Sequence, residues 1–361
     1  MKNNLINSKI IILTIISFFF LSNQAIAQCE SHSEEGESCC VQTCCASKAP
    51  DGVAPVGVMS DHIHHKKGLM FSYRLMHMNM SGNLSGTNEI ANPDVFSNYM
   101  MAPDEMFMQM HMFGAMYGLS DRVTLMAMMN VNRNEMSMNM MNGTEHTHNS
   151  SGIGDLKLSS ILSVWKNNRH SFNANLGISI PTGNIGITEM VHMMHNGHEH
   201  MVESVMPYPM RLGSGTFDAM VGVTYLAKWN KISFGAQTSN TIRTGENDRG
   251  YRLGNNYAIN TWGAYRVNSW MSVSLRGEGV KVGSIEGKDD ELMAMMSPPN
   301  NAANSGQDLI RAHAGVNLYF ADFWKGLHIG TEFGVPVYQN VEGVQMKQQN
   351  VFTVGVRFDV L

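Results

Sequence analysis

EMFMQMHMFGAMYGLSDRVTLMAMMNVN, residues 105–132, decides how the rest of the chain reads. In its first half Met106, Met108, Met110 and Met112 take every second position, with Phe107, Gln109, His111 and Phe113 between them. Successive side chains of an extended strand leave opposite faces, so a period of two is a strand signature. Gly118-Leu119-Ser120-Asp121-Arg122 supplies a short turn, and a second extended segment follows from Val123. In that segment Thr124, Asn130 and Asn132 share a face with Met126 and Met128, which marks this face as the polar one. For Met106 to Met112 the sequence alone leaves the face open. Phe107 and Phe113 suit lipid, while Gln109 and His111 on the same side do not. Methionine is expected inward, because the apolar faces elsewhere are built from Leu, Ile, Val and Phe.

Alternation of this kind recurs along the chain, in 69–78, 155–164, 171–180, 217–227, 231–243, 255–267 and 271–282. Near the end Ile310, Ala312, Ala314, Val316 and Leu318 oppose Arg311, His313 and Asn317, and Phe352, Val354, Val356 and Phe358 oppose Thr353 and Arg357. One apolar face per strand also describes a soluble β-sandwich. The connections separate the two readings. Short ones at 118–122, 166–169, 229–230, 268–269 and 321–325 alternate with long ones at 80–104, 136–153, 182–214, 244–253, 284–307 and 339–348. That asymmetry belongs to outer-membrane barrels, which have short periplasmic turns and longer outer loops. Tyr117, Trp165, Trp229, Trp270 and Trp324 flank the short turns, where an interfacial aromatic girdle forms. The expected fold is therefore all-β, an antiparallel transmembrane barrel of twelve strands.

Composition agrees. The chain has 361 residues, 34 of them Gly and only 15% charged. Its formal net charge of −5 gives no basic footprint for nucleic acid. Lys2 and Lys9 precede an apolar run from Ile10 to Leu21, and Ala25-Ile26-Ala27 gives the small residues of a cleavage site, so residues 1–27 read as a signal peptide. Residues 28–60 read as a flexible, Cys-rich periplasmic arm, and 61–361 as the barrel. The partners implied are outer-membrane lipid and a small-molecule or metal-ion substrate.

Three groups could carry chemistry. All five cysteines lie early in the chain, and Cys39, Cys40, Cys44 and Cys45 form a C-C-V-Q-T-C-C run. Thiolates favour Cu(I) or Zn, with disulfide formation as the competing fate in an oxidising compartment. The long connection near 188–206 carries His192, His195, His198 and His200 with Met193 and Met194 among its methionines, a thioether and imidazole mixture suited to copper. Smaller clusters, Met136 to Met141 with His146 and His148, and Met293, Met295 and Met296, share that rim. Last comes the strand lining: Met76 and Met78, Met108 and Met110 with His111, and Met126 and Met128. Methionine as a pliable filler explains the same residues without chemistry. Enzyme motifs such as G-x-S-x-G, H-E-x-x-H and the P-loop do not occur, so no catalytic activity is expected.

The pieces YGLSDRVTL (117–125), GIGDLKL (152–158), LGISIPTG (176–183) and GSGTFDAMVGVTY (213–225) resemble, in this order, the outer-membrane "transporter" barrel family named for the meta-pathway of phenol degradation. The opening segment Asp61-His62-Ile63-His64-His65-Lys66-Lys67-Gly68 is similar to that of its Met-rich branch, and its His62, His64 and His65 join the candidate metal ligands. The resemblance implies an outer-membrane barrel with a small-molecule transport role and brings no catalytic residues. The function expected from the residues is binding or passage of soft metal ions, copper before silver or zinc, with a periplasmic metal-handling partner. A channel for small hydrophobic or aromatic molecules is the alternative, and a barrel whose arm recruits a partner is a third.

Overall fold

The computed structural model describes residues 49–195, 198–320 and 326–360, and leaves the side chains of residues 191–200 and 202 undescribed. In chain order the strands are β1 (Leu69–Gly86), β2 (Asn88–Ile90), β3 (Met101–Ser120), β4 (Val123–Met140), β5 (Glu145–Ile153), β6 (Leu156–Lys166), β7 (His170–Ile180), β8 (Thr188–His195) and β9 (His198–Val205). There follow β10 (Asp218–Trp229), β11 (Ile232–Arg243), β12 (Tyr251–Arg252), β13 (Asn256–Arg266), β14 (Met271–Val282), β15 (Glu286–Gly287), β16 (Gln307–Phe320) and β17 (Leu327–Asp359). The ring runs β17-β16-β14-β13-β11-β10-β7-β6-β4-β3-β1 and closes by antiparallel pairing of β1 with β17. A ring of purely antiparallel neighbours needs an even number of staves, and β17 provides two. Its residues 327–341 pair with β16, and residues 341–359 pair with β1 in the opposite sense. Gly343, at φ 64°, sits where the chain folds back. The barrel thus has twelve staves, and residues 105–132 form its second and third.

The barrel is apolar outside and polar inside, which no soluble sandwich would be. Leu275 is 71% exposed, while its neighbour Arg276 is 5% exposed. Phe113, Leu125, Ile178, Ile259, Phe333 and Phe352 also cover the outside, whereas Thr124, Asn173, Gln237, Asn260 and Glu332 are buried within. Tyr117, Trp165, Trp229 and Trp270 are exposed beside the short turns, as a girdle requires; Trp324 lies outside the described residues. Leu275→Arg is expected to destabilise the folded barrel by roughly 2–4 kcal/mol, the cost of a cation on the lipid face near the midplane. Urea unfolding in vesicles checks this, with Thr261→Ser as a mild control on the same outward face.

Two of the expected loops are strand instead. β4 runs on to Met140 and pairs with β5 across residues that read as the loop 136–153, and β17 continues through 339–348. A strand of 20 residues like β3 reaches roughly 45 Å of height even at 45° tilt, against an apolar band about 25 Å tall. These staves stand well clear of the membrane on the outer side. Both their faces are wet there, so the outward apolar signal vanishes and the sequence imitates a loop.

The outer connections knit into a cap. β12 pairs with β15, and β8 with β9 forms a hairpin where the His/Met-rich connection was expected to be irregular. Arg211 and Asp289 form a buried ion pair at 2.7 Å, with Tyr208 and Tyr251 each 5.0 Å from the guanidinium. Met100 and Met101 donate backbone hydrogen bonds to Met295 and Met296 across two further loops.

The inner end is filled by chain. Of the expected arm, residues 28–48 lie outside the described residues, while residues 49–60 bond to the inward faces of the barrel strands. Asp51 pairs with Lys228 and Arg266 at 3.3 and 3.0 Å, and the Pro50 carbonyl accepts from Ser272. Further on, the Met59 carbonyl accepts from Gln237, the Asp61 carbonyl accepts from Asn173, and the His64 amide donates to Thr124. These partners come from β10, β13, β14, β11, β7 and β4, so the segment crosses the lumen before leaving at the β3–β4 turn. Val53, Ala54, Val56 and Val58 are buried in it. Close approach needs glycine at Gly355 and Gly330, where a Cβ would lie 2.6 and 2.9 Å from Val56 atoms.

Candidate functional site

Two walls of different chemistry line the lumen. The first is methionine, and it settles the face of residues 106–112. No register shift interrupts β3 between Glu105 and Tyr117 in its pairing with β1, so parity holds throughout. Met106 and Met116 are buried while Phe113 and Tyr117 are exposed, and the even-numbered methionines therefore point inward. The rungs across β1, β3 and β4 run Met80–Met106–Met136, Met78–Met108–Asn134, Met76–Met110–Asn132, Arg74–Met112–Asn130 and Met70–Met116–Met126. Met128 follows on the same face of β4, opposite Gly114. At the outer end Met101, Met106, Met136, Met138, Met206 and Met210 form a buried cluster, packed by Met80, Met108, Met140, Met296 and Met346. At the inner end Met70 and Met116 pack with Ile161, Ile63 and Met126, and Ser60 of the internal segment donates to the Met126 sulfur at 3.5 Å.

The second wall is ionic and lies on β13, β14, β16 and β17. Arg276 binds Glu332 through two hydrogen bonds, 2.8 and 2.9 Å, and reaches Asn260 at 2.6 Å and Glu278 at 3.3 Å. Arg311 and His313 meet Glu278 at 2.9 and 3.0 Å. The Gly57 amide donates to Glu332 at 3.1 Å, which fastens the internal segment to this wall. Between that segment and the strands lies a water-sized cavity of about 30 Å³, lined in part by Val56, Arg74, Asn317 and Arg357.

The other candidate ligands separate. His111 shares the outward face with Phe113 and hydrogen-bonds the Tyr73 hydroxyl at 2.8 Å, away from the lumen methionines. His62 and His64 have ring centroids 4.9 Å apart; His62 bonds Asp61 at 2.7 Å and His64 lies 3.8 Å from Asp359. His65 is exposed beside Asp121 and joins neither. His192, Met193, Met194, His195, His198 and His200 belong to the β8–β9 hairpin by backbone, with side chains outside the described residues. Cys39, Cys40, Cys44 and Cys45 also lie outside them.

One group emerges only in three dimensions. His146 and His148, two apart on the inward face of β5, converge on Glu189 of β8. Glu189 Oε1 is 3.4 Å from His146 Nε2 and in contact with His148 Nδ1. Burial alone would raise this carboxyl, but the hydrogen bonds and charges of the two imidazoles outweigh it and hold the pKa at about 2. The sequence showed His146 and His148 only as part of an outer-loop cluster; the strand that aligns them and the distant glutamate were not legible.

No protein-family model and no curated protein matches the chain. Solved structures do. An outer-membrane channel from Pseudomonas putida F1 aligns over 85% of this chain and 100% of its own, at 14% identity and TM-score 0.59. More loosely similar are the β domain of the Bordetella autotransporter BrkA, at 8% identity over 82% of this chain and 100% of its own, TM-score 0.45, and a Pseudomonas aeruginosa FadL homologue, at 9% identity over 87% and 93%, TM-score 0.39. At these identities the likeness concerns fold, and the fold is that of an outer-membrane β-barrel.

Proposed function

We propose that this chain is an outer-membrane channel for small hydrophobic molecules, aromatic ones included, which move along the methionine wall. The observation that carries the proposal is the continuity of that wall from Met70 near the inner turns to the buried cluster under the outer cap. Thioether side chains are apolar, unbranched and rotate about three bonds, so they yield to a passing solute without presenting a fixed charge. The ionic wall anchors the internal segment, and on the methionine side Arg74 is the one charged residue among those rungs. The chain is read as exported by its signal peptide, embedded in outer-membrane lipid, and not as an enzyme. Vesicles carrying the protein are expected to take up a small aromatic faster than empty vesicles, with a fall when Met108 and Met110 are both changed to Lys. Equal uptake by protein-containing and empty vesicles would remove the proposal.

The same sulfur atoms support a second reading, passage of soft metal ions such as Cu(I), because stacked rungs offer a ladder of weak, exchangeable ligands. Leucine distinguishes the two. A Met76→Leu, Met108→Leu, Met110→Leu triple variant keeps apolar volume and removes sulfur. Aromatic uptake is expected to stay within about twofold of wild type. Copper or silver uptake that is present in wild type and absent in this variant would instead favour the metal path. A periplasmic metal-handling partner belongs to that second reading only.

A further inference from the structure

We propose that His146, His148 and Glu189 form a binding site for one first-row divalent metal ion, Cu(II) or Zn(II), which clasps the β8–β9 hairpin to the β4–β5 extension over the outer mouth. The site borders the outer end of the methionine wall, and metal binding there does not depend on what the channel carries.

The geometry starts from strand periodicity. Residues two apart leave the same face, so His146 and His148 stand side by side on β5, with ring centroids 4.6 Å apart. Glu189 arrives from a segment more than 40 positions further along the chain and places one carboxylate oxygen against both rings. One ligand atom from each residue lies within 4.8 Å of the other two. Ligands of a tetrahedral metal at 2.0–2.1 Å sit about 3.3 Å apart, close to the 3.4 Å between His146 Nε2 and Glu189 Oε1. An ion can therefore enter with side-chain adjustment and no movement of the strands.

Donor chemistry sets the metal class. Two imidazoles and a carboxylate suit borderline divalent ions, with Cu(II) tighter than Zn(II) by the usual order. Met138 stands directly across the strand pair from His146, and Met136 from His148, so thioethers border the site. His148 is 8% exposed and the two methionines are buried, which shields the ion from bulk water on that side. A bound ion would close a chain loop between β5 and β8, and thereby fix the hairpin that carries His192 to His200.

The test uses the full chain in detergent, stripped with chelator and dialysed against Cu(II) or Zn(II), with metal counted by mass spectrometry. His146→Ala/His148→Ala and Glu189→Gln are compared with wild type after heat-modified gel migration confirms folded barrels. Wild type is expected to bind one more ion than the double-alanine variant, and Glu189→Gln to weaken that ion at least about tenfold. The Cu(II) electron paramagnetic resonance spectrum should show coupling to two nitrogens that the double variant lacks. Ions held by Cys39 to Cys45 or by His192 to His200 would persist in every variant and cancel in the difference. Added metal should also slow proteolysis within residues 188–205 of wild type only. Equal stoichiometry and affinity in wild type and variants would reduce the cluster to an ion pair and overturn the proposal. None of these readouts involves transport, so failure here and failure of the channel reading are distinguishable.

Discussion

Deleting residues 49–60 is expected to raise single-channel conductance in planar bilayers on the order of tenfold or more, as the lumen they occupy fills with water. The barrel itself should survive, because its staves are held by the closed hydrogen-bond ring and not by the internal segment. The segment is held at both ends and in the middle: Asp51 at Lys228 and Arg266, Gly57 at Glu332, and the Met59 and Asp61 carbonyls at Gln237 and Asn173. A gentler route to the same outcome is Gly355→Leu. Even a Cβ there would lie 2.6 Å from Val56 and 2.9 Å from the Arg74 side chain, so the larger residue displaces the segment or strains the wall. Cells expressing either variant should also become sensitive to antibiotics too large for the native barrel. Unchanged conductance in the deletion would assign closure to the outer cap instead, where Arg211, Asp289 and the loop contacts of Met100 and Met101 lie.

What the sequence disclosed and what it concealed divide along physical lines. Wherever a stave crosses lipid, one face meets hydrocarbon and the other meets the lumen, and Phe113 against Met112 or Leu275 against Arg276 announces it. The turn at residues 118–122 was legible because its aromatic Tyr117 and polar Ser120-Asp121-Arg122 mark an interface. Above the membrane the contrast fades, and residues 136–153 and 339–348 read as loops although they are strand. The inner segment was concealed for another reason. Val53, Ala54, Val56 and Val58 stand among Gly and Pro without period, and their partners lie hundreds of positions away, as Gly57 and Glu332 do. A run that is too irregular for a strand, and too short for a domain, imitates a flexible arm. His111 was grouped with the lumen methionines by nearness in sequence, although it alternates with them; on the outward face its partner is the Tyr73 hydroxyl, which sequence spacing does not reveal. Glu189 could not be paired with His146 and His148 from spacing, since the fold alone brings them together.

Glu332→Ala should be the most destabilising single change in the lumen short of disrupting a stave. Arg276 and Glu332 have side chains 4% and 1% exposed, so removing the carboxylate leaves a guanidinium in a desolvated site. Losing one partner of a buried pair costs about 3–5 kcal/mol, much of it the penalty of the abandoned charge. Here the lower end is expected, because Glu278 still lies 3.3 Å from Arg276 and Asn260 still accepts from it. The same substitution takes away the acceptor of the Gly57 amide, so a loosened internal segment and raised conductance should accompany the stability loss. Arg276→Leu together with Glu332→Leu removes both charges and their desolvation, and such apolar replacements are often neutral or stabilising. That double variant should recover most of the unfolding midpoint in urea, while conductance stays raised because Gly57 remains without its acceptor. Recovery of both would mean that charge balance alone holds the segment in place. Recovery of stability alone would identify the Gly57–Glu332 hydrogen bond as the latch, since the two readouts share the carboxylate but only one depends on its acceptor oxygen.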